Sequence, residues 1–245
     1  MDKSYKNKYY NLEDKHWWNV SRREIIMKLL NPYFKKEAKV LDIGCSSGAL
    51  LKQIISNNVV KVYGIDISKE AIKLSKHKGL KNVKKMDASK LEFEDKEFDV
   101  IIASDVLEHI HSDLDALKEW KRVLKPNGHM ILFVPAHKVL WSNNDIYSQH
   151  FRRYEKKQLK DCLIKSGFSI SRLSYWNFLL FVPIFVYRKL QKTYKEVNME
   201  LDHELMTINP IIDNIFRFIL FIENRMLAKV NFPLGVSLFA ICKKK

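Results

Sequence analysis

Val40-Leu41-Asp42-Ile43-Gly44-Cys45-Ser46-Ser47-Gly48-Ala49-Leu50-Leu51 decides how the rest of this chain is read. An apolar run with one acid near its end gives way to two glycines and small polar residues. A second apolar-periodic run follows at once. Glycine lets a backbone turn tightly and lets a ligand approach closely. A strand therefore passes through a small-residue turn into a helix, whose first N–H groups have no partner within the helix.

Working outward, the same alternation repeats. Lys39–Ile43 reads as a strand and Ala49–Asn57 as a helix with Leu50, Leu51, Ile54 and Ile55 on one side. Residues 59–65 form a second strand, and Ser68 caps a helix running to Lys76. Residues 82–86 form a third strand. Residues 98–103 form a fourth, apolar on both faces, as expected of a doubly covered strand. Residues 114–124 are helical, Pro126-Asn127-Gly128 breaks that helix, and residues 129–134 form a fifth strand. Alternation at this spacing predicts a parallel, doubly wound α/β sheet with its crevice beyond the carboxyl ends of the strands. Upstream, residues 9–31 read as a helix. Downstream come a helix over 155–165, a strand over 168–175 and a last strand over 235–242. Between those two strands, residues 177–230 hold two dense apolar stretches and read as an insertion.

The turn after the first strand is not a phosphate cradle. A dinucleotide fingerprint places glycine where Ser46 stands. The acid two residues before Gly44 is also wrong for a phosphate. A carboxylate there suits a cation, such as the amino group or sulfonium of S-adenosylmethionine (SAM). Asp66 lies 22 residues after Gly44, at the end of the second strand, where an acid accepts both ribose hydroxyls. Asp87 follows the third strand and can take an adenine amino group. Ser104-Asp105-Val106-Leu107-Glu108-His109 follows the fourth and lines the same cleft. A single acid at a strand end is commonly a cap. Acids at four successive strand ends are harder to dismiss.

Residues 40–134 resemble the SAM-binding core of class I methyltransferases. Their Asp/Glu-x-Gly-x-Gly-x-Gly signature matches at Asp42, Gly44 and Gly48 and departs at Ser46; their Leu-Lys-Pro-x-Gly turn matches residues 124–128. The resemblance implies a Rossmann-like, mostly parallel seven-stranded sheet with a helical insertion before the last strand. It implies SAM as cofactor and S-adenosylhomocysteine as product. It assigns Asp42, Gly44, Cys45, Ser46, Gly48, Asp66, Ile67, Asp87, Ala88 and Ser104 to the cofactor. The flanks resemble a subgroup carrying His16-Trp17-Trp18 with Arg22-Arg23, and Leu140-Trp141-Ser142, Asp145 and His150-Phe151-Arg152-Arg153-Tyr154. Such proteins are similar to tailoring enzymes of glycans, lipids or secondary metabolites. The expected organisation is an N-terminal helical lid (1–37), a SAM-binding core (38–176), the apolar insertion (177–230) and a final strand completing the core (231–245).

Methyl transfer to a hydroxyl needs a base, and the candidates are His109, His111, His137, His150, Asp105 and Asp145. His109, His150 and Asp105 are the leading set. Trp18, Arg22, His137, Trp141, Asp145, Arg153 and Tyr154 are the expected acceptor contacts. Cysteines number three with no C-x-x-C pair, so neither a disulfide framework nor a metal site is expected. The polar N-terminus lacks a signal-peptide pattern, which points to the cytoplasm. The net charge of +15 suggests an anionic partner, though Lys-rich composition alone produces such a value. A spanning helix needs about 20 apolar residues, and residues 178–187 contain Pro183 and fall short. Basic residues beside both apolar stretches instead suit the inner membrane surface, while a substrate lid and a dimer interface are the other readings of the same stretches. The expected acceptor is a small molecule, glycan or lipid-linked compound. RNA or protein methylation, a non-catalytic SAM-binding scaffold and a nicotinamide oxidoreductase are the competing functions. Nucleic acid is disfavoured because no RNA-binding module is present, and the oligomeric state is open.

Overall fold

A computed structural model describes residues 10, 12–57, 60–194 and 209–245. Seven strands form one sheet in the order β3-β2-β1-β4-β5-β7-β6. They are β1 (Lys39–Ile43), β2 (Lys61–Asp66), β3 (Val83–Lys85), β4 (Phe98–Ser104), β5 (Leu124–Pro135), β6 (Phe168–Trp176) and β7 (Ser237–Lys244). The first five run parallel, and β7 lies antiparallel between β5 and β6. Strand order reverses between β1 and β4, so the crevice of a doubly wound sheet opens beyond those two strands.

Helices α1 (Trp17–Leu30), α2 (Ala49–Asn57), α3 (Lys69–His77), α4 (Asp113–Val123), α5 (Asn143–Tyr147), α6 (Lys156–Lys165), α7 (Phe181–Tyr194) and α8 (Pro210–Leu227) cover the sheet. Ser68 caps α3 by accepting from Ala71 N at 3.3 Å. The expected 9–31 helix is interrupted: Tyr10 and Leu12 are helical, and the long helix starts only after the following turn. His16 sits at the N-cap of α1, accepting from Trp18 N, and residues 13–15 form a turn. The Pro126-Asn127-Gly128 break ends α4 but lies inside β5. Leu124 already pairs with Phe98, and the register shifts before His129 pairs with Val100. Asn127 takes up the bend with φ 63°.

The core is continuous across the sheet. Trp120, Phe98, Phe133, Phe239 and Trp176 are fully buried. Each large apolar side chain so removed from water contributes about 1.5–3 kcal/mol. Trp120 also donates its indole N–H to Ala88 O at 2.8 Å, tying α4 to the loop after β3.

The segment between β6 and β7 is anchored to this core. Glu223 of α8 accepts from Asn177 N at 2.6 Å and Leu179 N at 2.9 Å. Asn224 accepts from the Trp176 indole and donates to Ser21 O, both at 2.9 Å. Asp213 accepts from Trp17 N at 2.9 Å, and Trp17 meets Phe216 edge-on. The opposite faces stay open: Val182, Leu190, Ile211 and Phe218 are each more than half exposed. No helix among the described residues is long and apolar enough to cross a membrane.

Candidate active site

The glycine turn after β1 has the geometry its composition requires. Gly44 and Gly48 adopt φ +74° and +79°, where a side chain is strained. A Cβ on Gly44 would sit 2.4 Å from Val106 Cγ2, and one on Gly48 2.2 Å from Leu80 Cδ1. Ser46 shares the left-handed backbone at φ 49°, a cost that glycine would avoid. It is held by three contacts. Its N–H donates to Asp66 Oδ2 at 3.0 Å, its hydroxyl donates to Glu13 Oε2 at 2.9 Å, and its carbonyl accepts from Ser75 Oγ. Cys45 contributes less to the cleft than expected. Its side chain is buried against Gly64, its N–H donates to Ile65 O, and its carbonyl accepts from Gly48 N.

Three carboxylates crowd this turn. Asp42 is buried at the end of β1, Asp66 ends β2, and Glu13 arrives from the turn before α1. Burial, then the charges of Glu13 and Asp66, push the Asp42 carboxyl well above the ordinary range. Burial likewise pushes Glu13 up, against the hydrogen bonds from Ser47 and Ser46. A cation at this turn would relieve that crowding, and SAM carries an ammonium and a sulfonium. The residues therefore fit the cofactor on charge as well as on backbone shape. Nearby, Lys78 binds Ser47 Oγ at 2.7 Å and Asp14 at 2.9 Å, and Tyr10 donates to Ser68 Oγ. The N-terminal turn is thus fastened over the glycine loop. Glu13 and Lys78 gave no signal in the sequence, because the polar turn around Glu13 has no periodicity.

The remaining cofactor candidates are spread along the strand ends. Ile67 is exposed, as is Asp87, whose Oδ1 accepts from Ser89 N and Oγ. Ala88 gives its carbonyl to Trp120. Ser104 donates to Asp105 Oδ2 at 3.0 Å. Asp105 adopts φ 57°, a strained state that needs support from its surroundings. The support comes from the Asp105 N–H bond to Phe133 O and from Arg22, 3.2 Å from its carboxylate. Arg22 is 4% exposed. Its guanidinium lies 4.2 Å from the Trp176 ring centroid and 4.3 Å from that of Phe133, and donates to Ser237 Oγ at 2.8 Å. Trp18 packs edge-on against Trp176. Arg22, expected to meet the acceptor, instead holds Asp105 in place from inside the core.

A second cluster forms beyond β4 and β5. His150 Nδ1 lies 2.8 Å from Asp145 Oδ1, which also accepts from Arg153 Nε at 2.8 Å. Burial alone would raise Asp145. The His150 hydrogen bond and the Arg153 charge outweigh it and hold the carboxyl below the ordinary range. Asp145 also closes a capping box with Ser142 at the start of α5. Arg153 donates to Ala136 O, and the buried Tyr154 hydroxyl donates to Asp113 at 2.9 Å. Asp145, Arg153 and Tyr154 were expected to touch the acceptor. All three are buried and bonded within the protein, so they fix His150 and the segment around it. His150 and His109 meet edge-on with ring centroids 4.6 Å apart. Burial, then His150, push His109 down to about 4, so its ring is neutral at physiological pH. His137 stacks on Tyr175 and lies 3.3 Å from Glu155; Trp141 is half-buried beside it in the chain. His111 lies against Phe151, on the outer side of the same segment.

A glycine turn and carboxylates at the ends of adjacent parallel strands define a nucleoside-cofactor site of the SAM type. Residues 41–132 match the family described as Methyltransferase domain. Uncharacterized protein MJ1252 of Methanocaldococcus jannaschii is 33% identical over 198 residues, covering 69% of this chain and 72% of that protein. Demethylmenaquinone methyltransferase of Staphylococcus aureus is 34% identical over 126 residues, 48% of this chain and 52% of its own length. The chain therefore spans about half of that enzyme. The solved structure of a SAM-dependent methyltransferase from Archaeoglobus fulgidus superposes with a TM-score of 0.61 at 21% identity, covering 96% of this chain and 99% of that one. The chain belongs to the class I SAM-dependent methyltransferases.

The raised Glu13 carboxyl yields a pH prediction. A folded-state pKa above the unfolded value gives stability that is full below the ordinary carboxylate range and is lost as pH rises through the raised value. Glu13→Gln mimics the protonated form. It should melt like wild type near about pH 4.5 and at a higher temperature near about pH 8. Thermal melts of the cofactor-free protein across that range check this, and a variant less stable at both pH values would contradict it.

Proposed function

We propose that the protein transfers the methyl group of SAM to an oxygen or nitrogen of a small acceptor whose body is apolar or lipid-linked. The observation that carries the acceptor half is the pair α7 and α8. α8 is anchored to the end of β6 and to α1, α7 is tied to Leu140 O through Arg188, and both carry open apolar side chains. Arg188 of α7 is turned inward to Leu140 O, and burial, then Arg153, push its guanidinium down to about 9. The insertion therefore reaches the His150 cluster as well as the surface. The Staphylococcus aureus relative, by its name a methyltransferase of demethylmenaquinone, supports an apolar acceptor.

In this reading Asp42 and Asp66 orient the cofactor, with the Gly44–Gly48 turn as its floor. SAM supplies an electrophilic methyl group and leaves as the thioether. Asp105, fixed by Arg22, sits at the end of β4 beside the cofactor turn. Holding acceptor and methyl group in line is worth about 7–11 kcal/mol of barrier. For a hydroxyl acceptor, His150 and His109 are the proton acceptors, and Asp145 fixes the His150 tautomer.

Incubation with methyl-labelled SAM and an extract of the source cells tests this. Label is expected in the organic-soluble fraction and absent with Asp42→Ala. Label in aqueous metabolites would replace the apolar acceptor with a polar one, and label in RNA or protein would replace the acceptor class altogether. The same faces of α7 and α8 are proposed to meet the anionic membrane surface that carries such an acceptor. Failure to float with anionic liposomes would remove that part.

A further inference from the structure

We infer that Glu108, His109 and His150 form a site for a divalent transition-metal ion. Glu108 and His109 lie on the short helical turn after β4; His150 comes from the segment after α5. One ligand atom from each of the three lies within 4.8 Å of the others. Phe151 N donates to Glu108 O at 2.9 Å, so the backbones that carry them are tied together.

Glu108 is the decisive residue. It is fully buried, and neither carboxylate oxygen has a hydrogen-bond partner. A buried carboxylate without direct partners costs several kcal/mol. Arg22 and Arg153 act on it only through space. His150 sharpens the point. Its Nδ1 is held against Asp145, which keeps the proton on that nitrogen. Nε2 is then a lone pair, and it faces Glu108 Oε1 at 3.9 Å. Two acceptors facing each other in a buried pocket call for a cation between them.

The surroundings match the outer shell of a metal site. Ligating histidines commonly give their other N–H to a carboxylate, which fixes the ring. Asp145 plays that part and is itself fixed by Arg153 Nε and Ser142 N, each at 2.8 Å. Two imidazoles and one carboxylate suit zinc, cobalt or iron(II) better than magnesium or calcium, which prefer all-oxygen shells. Ligands bonded at about 2.0–2.1 Å in a tetrahedron stand about 3.3 Å apart, so Glu108 and His150 need to close by well under 1 Å. Three protein ligands leave a coordination position open.

Resting on the proposed function, that open position would take a hydroxyl oxygen of the acceptor. The bound O–H bond breaks, its proton passes to water, and the electron pair stays on oxygen for attack on the methyl carbon. The methyl–sulfur bond breaks with its pair on sulfur. In that case the two histidines hold the metal, and they no longer serve as bases.

The test is binding of Co²⁺ alone to the untagged full chain after dialysis against a chelator. One equivalent should produce saturable visible d–d absorption. Glu108→Gln and His150→Gln should each abolish it, and Asp145→Asn should weaken Co²⁺ affinity about 10- to 100-fold. Thermal melts accompany each variant. Glu108→Gln removes a buried carboxyl whose oxygens have no hydrogen-bond partner, so it should melt no lower than the metal-free wild type. Asp42→Ala should lose SAM binding and keep the cobalt bands, which separates failure of this site from failure of the methyltransferase reading. Absence of bands in the wild type, or bands that persist in both Glu108→Gln and His150→Gln, overturns the inference. In the first case a shared proton bridges Glu108 and His150 instead.

Discussion

Arg22→Ala is expected to lower the melting temperature by about 6–12 °C, from a stability loss of about 3 kcal/mol. The guanidinium lies within 4.2–4.3 Å of two aromatic ring centroids and makes one short bond to Ser237. Desolvated cation–π contacts contribute about 2 kcal/mol, and a hydrogen bond from a charged group about 1.5–3 kcal/mol. The ion pair with Asp105 adds little in direct attraction, because that carboxylate is 36% exposed. Its removal matters for geometry, since Asp105 would lose the contact that holds its left-handed backbone. Arg22→Lys should recover less than half of the loss. An ammonium cannot lie flat between two rings while donating to three side chains. Calorimetric melts of the three proteins check this, and an alanine variant within 2 °C of wild type would show that Arg22 is dispensable.

Asp66→Ala should weaken SAM binding about 30- to 1000-fold, equivalent to about 2–4 kcal/mol. Asp66 ends the strand beside β1, and its proposed role is to accept both ribose hydroxyls. Hydrogen bonds to a charged acceptor are worth about 1.5–3 kcal/mol each. The same carboxylate accepts from Ser46 N at 3.0 Å and Ser68 N at 2.8 Å. Its loss therefore loosens the glycine turn as well. Asp66→Asn preserves shape and one acceptor oxygen and should lose roughly a tenth as much affinity in fold terms. Titration calorimetry with SAM separates the two, and an affinity within about threefold of wild type for Asp66→Ala would remove Asp66 from the cofactor site.

The parallel half of the sheet was legible because its strands are buried on both faces and alternate with amphipathic helices. The acids at strand ends could be placed in order for the same reason: Asp42, Asp66 and Asp105 lie at or just past the ends of the adjacent strands β1, β2 and β4. Sheet order at the far edge was not legible, because pairing of β7 between β5 and β6 depends on contacts remote in sequence. Burial was the harder failure. Arg22, Asp145, Arg153 and Tyr154 are residue types that usually meet solvent or substrate. Each is buried here with a bonded partner: Asp105, from a distant segment, for Arg22; Arg153 and His150, from the same stretch of chain, for Asp145; and Asp113, which accepts from its hydroxyl, for Tyr154. Glu13 and Glu108 were hidden by the reverse effect. Nothing local marks Glu13, and Glu108 was read only as one of the stretch lining the cleft; the importance of both arises from what the fold places around them.

The position of β7 also bears on how the molecule is made. β5 and β6 do not pair with each other; both pair with β7, which is translated after them and after α7 and α8. On a ribosome, β1 to β5 and their helices can assemble as soon as they emerge. β6 must wait with no strand partner at either edge while about sixty more residues are added. This last-strand closure makes the pairings of β5 and β6 with β7 longer in sequence than those among β1 to β5. Nascent chains should thus acquire a SAM-competent half before the half proposed to meet the acceptor, and a bound cofactor could stabilise them through that interval.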